Sequence, residues 1–152
     1  MFIRIDDRLV HGQVVTAWLR QLKAKTIVVA DDTAAKNTMI RKALQLATPR
    51  GVNLLVLSVE EAGQQVASLP QDDVILLVKS PITAKTIISA APAEMKWKVN
   101  VGNVGKAEGR EKYASTVYLD QENYQALKEL ADKGVDVFYQ MVPTDQVSYF
   151  RE

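Results

Sequence analysis

The chain's only histidine, His11, stands in the run Asp6-Asp7-Arg8-Leu9-Val10-His11-Gly12-Gln13. An imidazole is largely uncharged near neutral pH, and a ring nitrogen can then attack phosphorus. Arg8, three residues earlier, carries a guanidinium fork that fits phosphoryl oxygens. Gly12 has no Cβ, so the backbone there can come close to a bulky anion. Asp6 or Asp7 can hold one ring nitrogen as N–H and leave the other free to attack. A helix beginning near Gln13 would add free backbone N–H groups and the positive end of its dipole. Together these residues could take up a phosphoryl group and pass it on. The same residues also admit a plainer reading. In it, His11 is a solvated or hydrogen-bonded side chain, and the Asp-Asp-Arg run is a capped turn with a surface ion pair of little energetic value.

Composition narrows the other chemistries. There is no cysteine, which removes disulfides, thiolate ligands and thiol nucleophiles. With one histidine, a zinc site would have to rest on carboxylates, so neither a metal nor a cofactor is expected. A net charge of +1 gives no broad basic field for nucleic acid. No G-x-x-x-x-G-K-[ST] run occurs, and Gly102, Gly105 and Gly109 have the wrong spacing for a dinucleotide fingerprint. The opening residues Met1 to Asp6 meet charge at once, unlike a signal peptide. No apolar run reaches the roughly 20 residues of a membrane helix, so a cytoplasmic location is expected.

These side chains need a scaffold to converge, and the rest of the chain describes one. At 152 residues, 47% apolar and 24% charged, it suits a single globular domain over residues 1–152. Strands are expected at Phe2–Ile5, Thr26–Ala30, Asn53–Leu57, Val74–Val78, Lys98–Val101, Thr116–Leu119 and Val135–Tyr139. Several are unbroken apolar runs, as in a parallel sheet covered on both faces. Between them lie helical stripes: Val15, Trp18, Leu19 and Leu22; Met39, Ile40, Ala43, Leu44 and Ala47; Tyr124, Leu127, Leu130 and Ala131. Ser58 with Glu61 has capping-box spacing, and Ser80-Pro81 and Asp120 read as helix starts. Gly134 reads as a helix end, and Gly102 to Lys112 as a long surface loop. The fold class is α/β, with an open, mostly parallel central sheet and helices on both faces. In such sheets ligands gather at the carboxyl ends of the strands. That places Asp6, Asp7, Arg8 and His11 together with Asp31, Asp32, Ser58, Lys79, Ser80, Gly102 and Asn103. Lys79 suits phosphate or an acidic partner. Trp18 reads as packing, and Trp97 as a strand-edge anchor or part of a docking patch.

The run Arg4-Ile5-Asp6-Asp7-Arg8-Leu9-Val10-His11-Gly12-Gln13-Val14, followed by Trp18, resembles the opening of the IIB subunits of the mannose–fructose–sorbose sugar phosphotransferase family. Further likenesses follow in the same order: Val28 to Asp32, Ser58-Val59-Glu60, Leu77 to Pro81, Asn100 to Asn103, and Met141 to Asp145. The chain departs from the family's pattern at Thr33-Ala34-Ala35-Lys36, at Ser80 where Asn is common, and at Val104. Ser80 keeps a hydroxyl that can donate to phosphate.

The resemblance implies a protein-Nπ-phosphohistidine–sugar phosphotransferase component without a cofactor. His11 would accept a phosphoryl group on Nδ1 from phosphorylated IIA and deliver it to a sugar held by the membrane IIC and IID subunits. Arg8 would stabilise the phosphoryl oxygens, and Asp6 and Asp7 would orient the loop. Gly12, Gln13, Lys79 and Ser80 complete the expected phosphate-binding set. The protein would attach peripherally to a membrane transporter without a span of its own. An alternative stays open: a regulatory IIB-like domain that senses phosphorylation without moving sugar. Two competitors are disfavoured by the residues. A receiver domain needs an aspartate after its third strand, where Leu55-Val56-Leu57-Ser58 stands, and a nucleotide-binding module needs a glycine-rich loop after the first.

Overall fold

The apolar runs form strands and the amphipathic stretches form helices in a computed structural model that describes residues 1–150. In chain order they are β1 (Phe2–Asp6), α1 (Gly12–Leu22), β2 (Thr26–Ala30), α2 (Asp32–Lys36), α3 (Thr38–Ala47), β3 (Asn53–Leu57), α4 (Val59–Gln65) and β4 (Val74–Val78). Then come α5 (Pro81–Ala90), β5 (Lys98–Asn103), β6 (Glu111–Ala114), β7 (Val117–Leu119), α6 (Gln121–Asp132), β8 (Asp136–Tyr139) and β9 (Ser148–Tyr149). One sheet has the order β3-β2-β4-β1-β5-β8-β9, parallel except where β9 runs antiparallel to β8.

Alternation along the strands divides the core into two layers. Ile3, Ile5, Val99 and Val101 pack with Ala62, Ala84, Ile87, Leu127 and Leu130 from α4, α5 and α6. Phe2, Ile75, Leu77 and Phe138 pack with Val14, Val15, Trp18, Leu19 and Leu44 from α1 and α3. The period of two puts Arg4 and Asp6 on the Phe2 side, under α1. Strand β1 passes the chain to that face, whereas its neighbours β4 and β5 lead to α5 and α6 on the other. The connections therefore diverge around the carboxyl end of β1, and an open α/β sheet has its crevice there.

Local signals act as read. Ser58 and Glu61 form a full capping box, Ser80 caps α5 ahead of Pro81, and Asp120 caps α6. The Asn123 N–H holds the Asp120 carboxyl below its ordinary range, and Ser58 does the same to Glu61. Gly134 follows α6 at φ +87°, where an L side chain would be strained.

Three expectations are corrected, and one of the two readings of Trp97 is excluded. Thr116–Leu119 does not enter the sheet: Val117–Leu119 pairs with β6 in a separate hairpin, tied to the end of β5 by the Val104–Val117 bridge. That parallel contact stops at the single bridge just past the end of β5. The place beside β5 goes to β8, which follows α6. The supposed loop Gly102–Lys112 contributes to β5 at one end and β6 at the other. In the α3 stripe only Leu44 is buried; Met39 is 81% exposed, because α3 covers the sheet's outer edge along one narrow side. Trp97 is 6% exposed and belongs to the core beneath α4–α6, so it forms no docking patch.

Candidate active site

Between β1 and α1 the chain makes a short turn whose inner residues are apolar and whose outer residues are not. The Asp6 carbonyl accepts from the Leu9 N–H at 2.9 Å, and Asp6 Oδ1 accepts from the Arg8 N–H at 3.0 Å. Leu9 has φ +58°, a left-handed conformation that costs an L residue roughly 1–2 kcal/mol. Burial of Leu9 (4% exposed) and Val10 (7%) into the α1-side core holds that conformation. With those two turned inward, Arg8 and His11 face outward, and both are exposed.

His11 is the N-cap residue of α1. Its carbonyl accepts the helix's first hydrogen bond, from Val15, while its ring makes no capping bond. No acidic residue lies in the first turn of α1. The other five α-helices among the described residues each have a side-chain cap: Asp31, Asn37, Ser58, Ser80 and Asp120. Helix α1 alone keeps its first-turn N–H groups without such a partner, and they sit beside the imidazole. Open N–H groups at a helix start suit an anion.

Beneath the turn lies a buried polar cluster. Asp6, 1% exposed, accepts from Arg8 Nε at 3.1 Å, Arg8 Nη2 at 3.2 Å and Arg4 Nη2 at 3.1 Å. Arg4, also 1% exposed, donates through Nη1 to Asn100 Oδ1 at 2.6 Å and to the Gln140 carbonyl at 3.3 Å. Its guanidinium carbon lies 5.7 Å from the Trp18 ring centroid, within cation–π range. Burial pulls the Arg4 pKa down, and the Asp6 carboxylate opposes that pull. Trp18 in turn donates from Nε1 to the Met141 carbonyl at 3.0 Å and packs on Phe2, a structural role.

The two aspartates do not contact His11. Asp6 is taken by the arginines. Asp7 accepts from Asn103 Nδ2 and from the Gly105 N–H, both at 2.8 Å, which fastens the loop to the end of β5. The imidazole-orienting role expected of Asp6 or Asp7 is therefore corrected: they shape the loop, because β1 and β5 bring competing donors closer to them than the outward ring. The register pairing Ile5 with Val78 places Lys79 and Ser80 at the same sheet end. Lys79 is exposed, whereas the Ser80 hydroxyl accepts from the Thr83 N–H and lies 3.0 Å from Thr83 Oγ1. Gln13 is exposed at the start of α1. An added Cβ at Gly12 would meet nothing closer than the Ala47 carbonyl at 3.8 Å, so the fold itself does not require glycine there. Asp31 caps α2, and Asp32 accepts from the Val59 N–H, so both serve the neighbouring turns.

Sequence reasoning missed the buried layer. It quoted Arg4 and Asn100 only within matching segments and gave neither a role. One signal was available: Arg4 and Asn100 each stand between apolar neighbours inside a strand.

No group of three or more His, Cys, Asp or Glu side chains among the described residues is placed to hold a metal ion. No described helix is long and apolar enough to cross a membrane.

The whole chain, residues 1–152, matches the family model for the PTS system sorbose subfamily IIB component. A probable phosphotransferase enzyme IIB component of Streptococcus pyogenes is 36% identical, over 94% of this chain and 91% of that protein. The mannose-specific EIIAB component of Escherichia coli is 30% identical, over 93% of this chain but 44% of that longer protein. The crystal structure of the Escherichia coli N-acetylgalactosamine-specific IIB component 1 superimposes with a TM-score of 0.90 at 30% identity, covering 99% of this chain and 98% of that one. The chain belongs to the sorbose subfamily of phosphotransferase-system IIB components.

Proposed function

We propose that this IIB component is a phosphoryl carrier in which His11 Nδ1 accepts the group from a phosphohistidine on IIA and hands it to a sugar held by membrane IIC and IID subunits. The observation that carries the reading is the coincidence of an exposed imidazole that makes no capping bond with the one α-helix start, among the described residues, that has no side-chain cap. The Escherichia coli relative that bears EIIAB in its name supports a IIA partner.

In the first step the Nδ1 lone pair attacks phosphorus while the donor's P–N bond breaks, its electron pair returning to the donor imidazole. The α1 N–H groups and the Arg8 fork face the three equatorial oxygens, where charge is spread. In the unphosphorylated protein Arg8 Nε and Nη2 rest on Asp6, so the fork reaches the phosphoryl oxygens by turning outward from that carboxylate. In the second step a sugar hydroxyl attacks phosphorus. The P–N bond to His11 breaks, and Nδ1 is free to take the hydroxyl's proton. Lys79 adds positive charge at the same sheet end, and Gln13 and Gly12 line the approach.

Incubating the phosphorylated protein with membranes carrying IIC and IID, plus candidate sugars, tests the reading. Loss of the protein-bound phosphoryl group with matching sugar phosphate supports it. A phosphoprotein that yields no sugar phosphate with any such membranes would point to the sensing role instead.

A further inference from the structure

Resting on that carrier reading, we propose that Arg4 is the positioning residue of this site: it is the standing counter-ion of Asp6, and it thereby leaves Arg8 able to turn from Asp6 to the phosphoryl group. One buried carboxylate is shared by two guanidinium groups with very different freedom. Arg4 is enclosed by Asn100 of β5, the Gln140 carbonyl and Met141 after β8, Trp18 of α1, and Gly102. A Cβ on Gly102 would lie 2.2 Å from the Arg4 guanidinium carbon, so the glycine exists to admit this group. Among the described residues the Arg8 side chain is anchored only through Asp6, and it is 35% exposed.

The bonding shows what each departure would leave behind. If the Arg8 side chain swings outward, Asp6 keeps Arg4 Nη2 on Oδ2 and the Arg8 N–H on Oδ1. Its charge stays compensated, and the turn that presents His11 stays closed. Without Arg4, the only cationic partner of Asp6 among the described residues is Arg8. An uncompensated buried carboxylate is costly, so Asp6 would then grip the group the phosphoryl transfer needs. The remaining neighbours of the cluster, Asn100, Gln140, Met141 and Trp18, are uncharged and cannot replace Arg4.

The test compares wild type, Arg4→Met and Arg4→Lys by two readouts. The first is exchange of the Arg8 Nε–H with water, followed by ¹⁵N NMR on the unphosphorylated protein. The second is the rate of phosphoryl transfer from phosphorylated IIA. Arg4→Met is expected to slow Arg8 Nε–H exchange several-fold and to lower the maximal transfer rate about tenfold or more, with little change in half-saturation. Arg4→Lys restores charge without the fork and should recover part of both. If Arg4→Met does not fold, Gly102→Ala crowds the guanidinium while keeping its charge, and should move both readouts the same way by less. Transfer at the wild-type rate in a folded Arg4→Met protein overturns the proposal. So does faster Arg8 exchange with slow transfer, which would mean that Arg4 fixes Arg8 in place. The exchange readout needs no donor: absence of label on wild-type His11 would sink the carrier reading, while exchange still decides how Arg4 governs Arg8.

Discussion

Gly102 and Arg4 compete for one volume: the Cβ that any other residue would place at position 102 lies 2.2 Å from the guanidinium carbon. Gly102→Ala must displace either the buried arginine or strand β5. Overpacking of this kind typically costs about 1–3 kcal/mol. Chemical denaturation should show that loss, and an unchanged midpoint would mean that the cluster yields more easily than its four Arg4 acceptors suggest.

Arg8→Ala should reduce phosphoryl transfer far more than it reduces stability. A charge-assisted bond strengthened in the transition state accounts for on the order of 10²-fold in rate. The side chain is part-exposed, so its ion pair with Asp6 adds little to folding. Arg8→Lys should recover only part of the rate, because a single ammonium cannot reproduce the fork. Rapid-quench transfer kinetics alongside thermal melts separate the two effects. Transfer at the wild-type rate in Arg8→Ala would leave the residue a purely structural role.

Gly12→Ala separates fold from chemistry at the adjoining position. The added methyl would make an ordinary contact with the Ala47 carbonyl, so the protein should fold and gain up to about 1 kcal/mol from the better helix former. On the proposed reading, in which the phosphoryl oxygens reach the α1 N–H groups past position 12, transfer should nevertheless slow. A variant that is more stable and equally fast would show that Gly12 has no part in anion binding.

The sheet was legible because β4 is an unbroken apolar run and β2 and β3 are nearly so, and such runs survive wherever the strand falls in the order. Partner choice was not legible: Val117–Leu119 has a strand's composition, yet it pairs with β6 and meets the end of β5 at one bridge. Strand β9 is two exposed residues with no periodicity to read. At the site, the position of Arg8, His11 and Gly12 at the β1–α1 junction was legible from the strand and helix pattern. The partners of Arg4 and Asp7 were not, because they lie on the neighbouring strand β5, far along the chain: Asn100 is 96 residues from Arg4, and Asn103 is 96 from Asp7. A charged residue within a strand reads equally well as one pointing outward. What turned Arg4 inward was a glycine and an amide on β5, which no local window contains.

Acid stability should depend on Asp120. The folded protein holds this carboxyl below its ordinary pKa, mainly through the Asn123 N–H. A depressed folded pKa gives stability that is present above the unfolded value, about 3.9, and is lost as pH falls through the folded one. Asp120→Asn keeps a capping oxygen but cannot titrate, so its stability near neutral pH should stay close to wild type while the decline below about pH 4 becomes shallower. Asp120→Ala should lose about 1 kcal/mol at neutral pH. Urea titrations across that range check both. An acid limb equally steep in Asp120→Asn would contradict the assignment.

The most direct measurement is the location of the phosphoryl group. Phosphorylate the protein with phosphorylated IIA, keep it alkaline to preserve the P–N bond, and map the adduct by mass spectrometry, with ³¹P NMR to assign the ring nitrogen. The account predicts one phosphoryl group per chain on His11, attached through Nδ1, and no incorporation into a folded His11→Ala protein. Stoichiometric label on any other residue, or full labelling of His11→Ala, would contradict it.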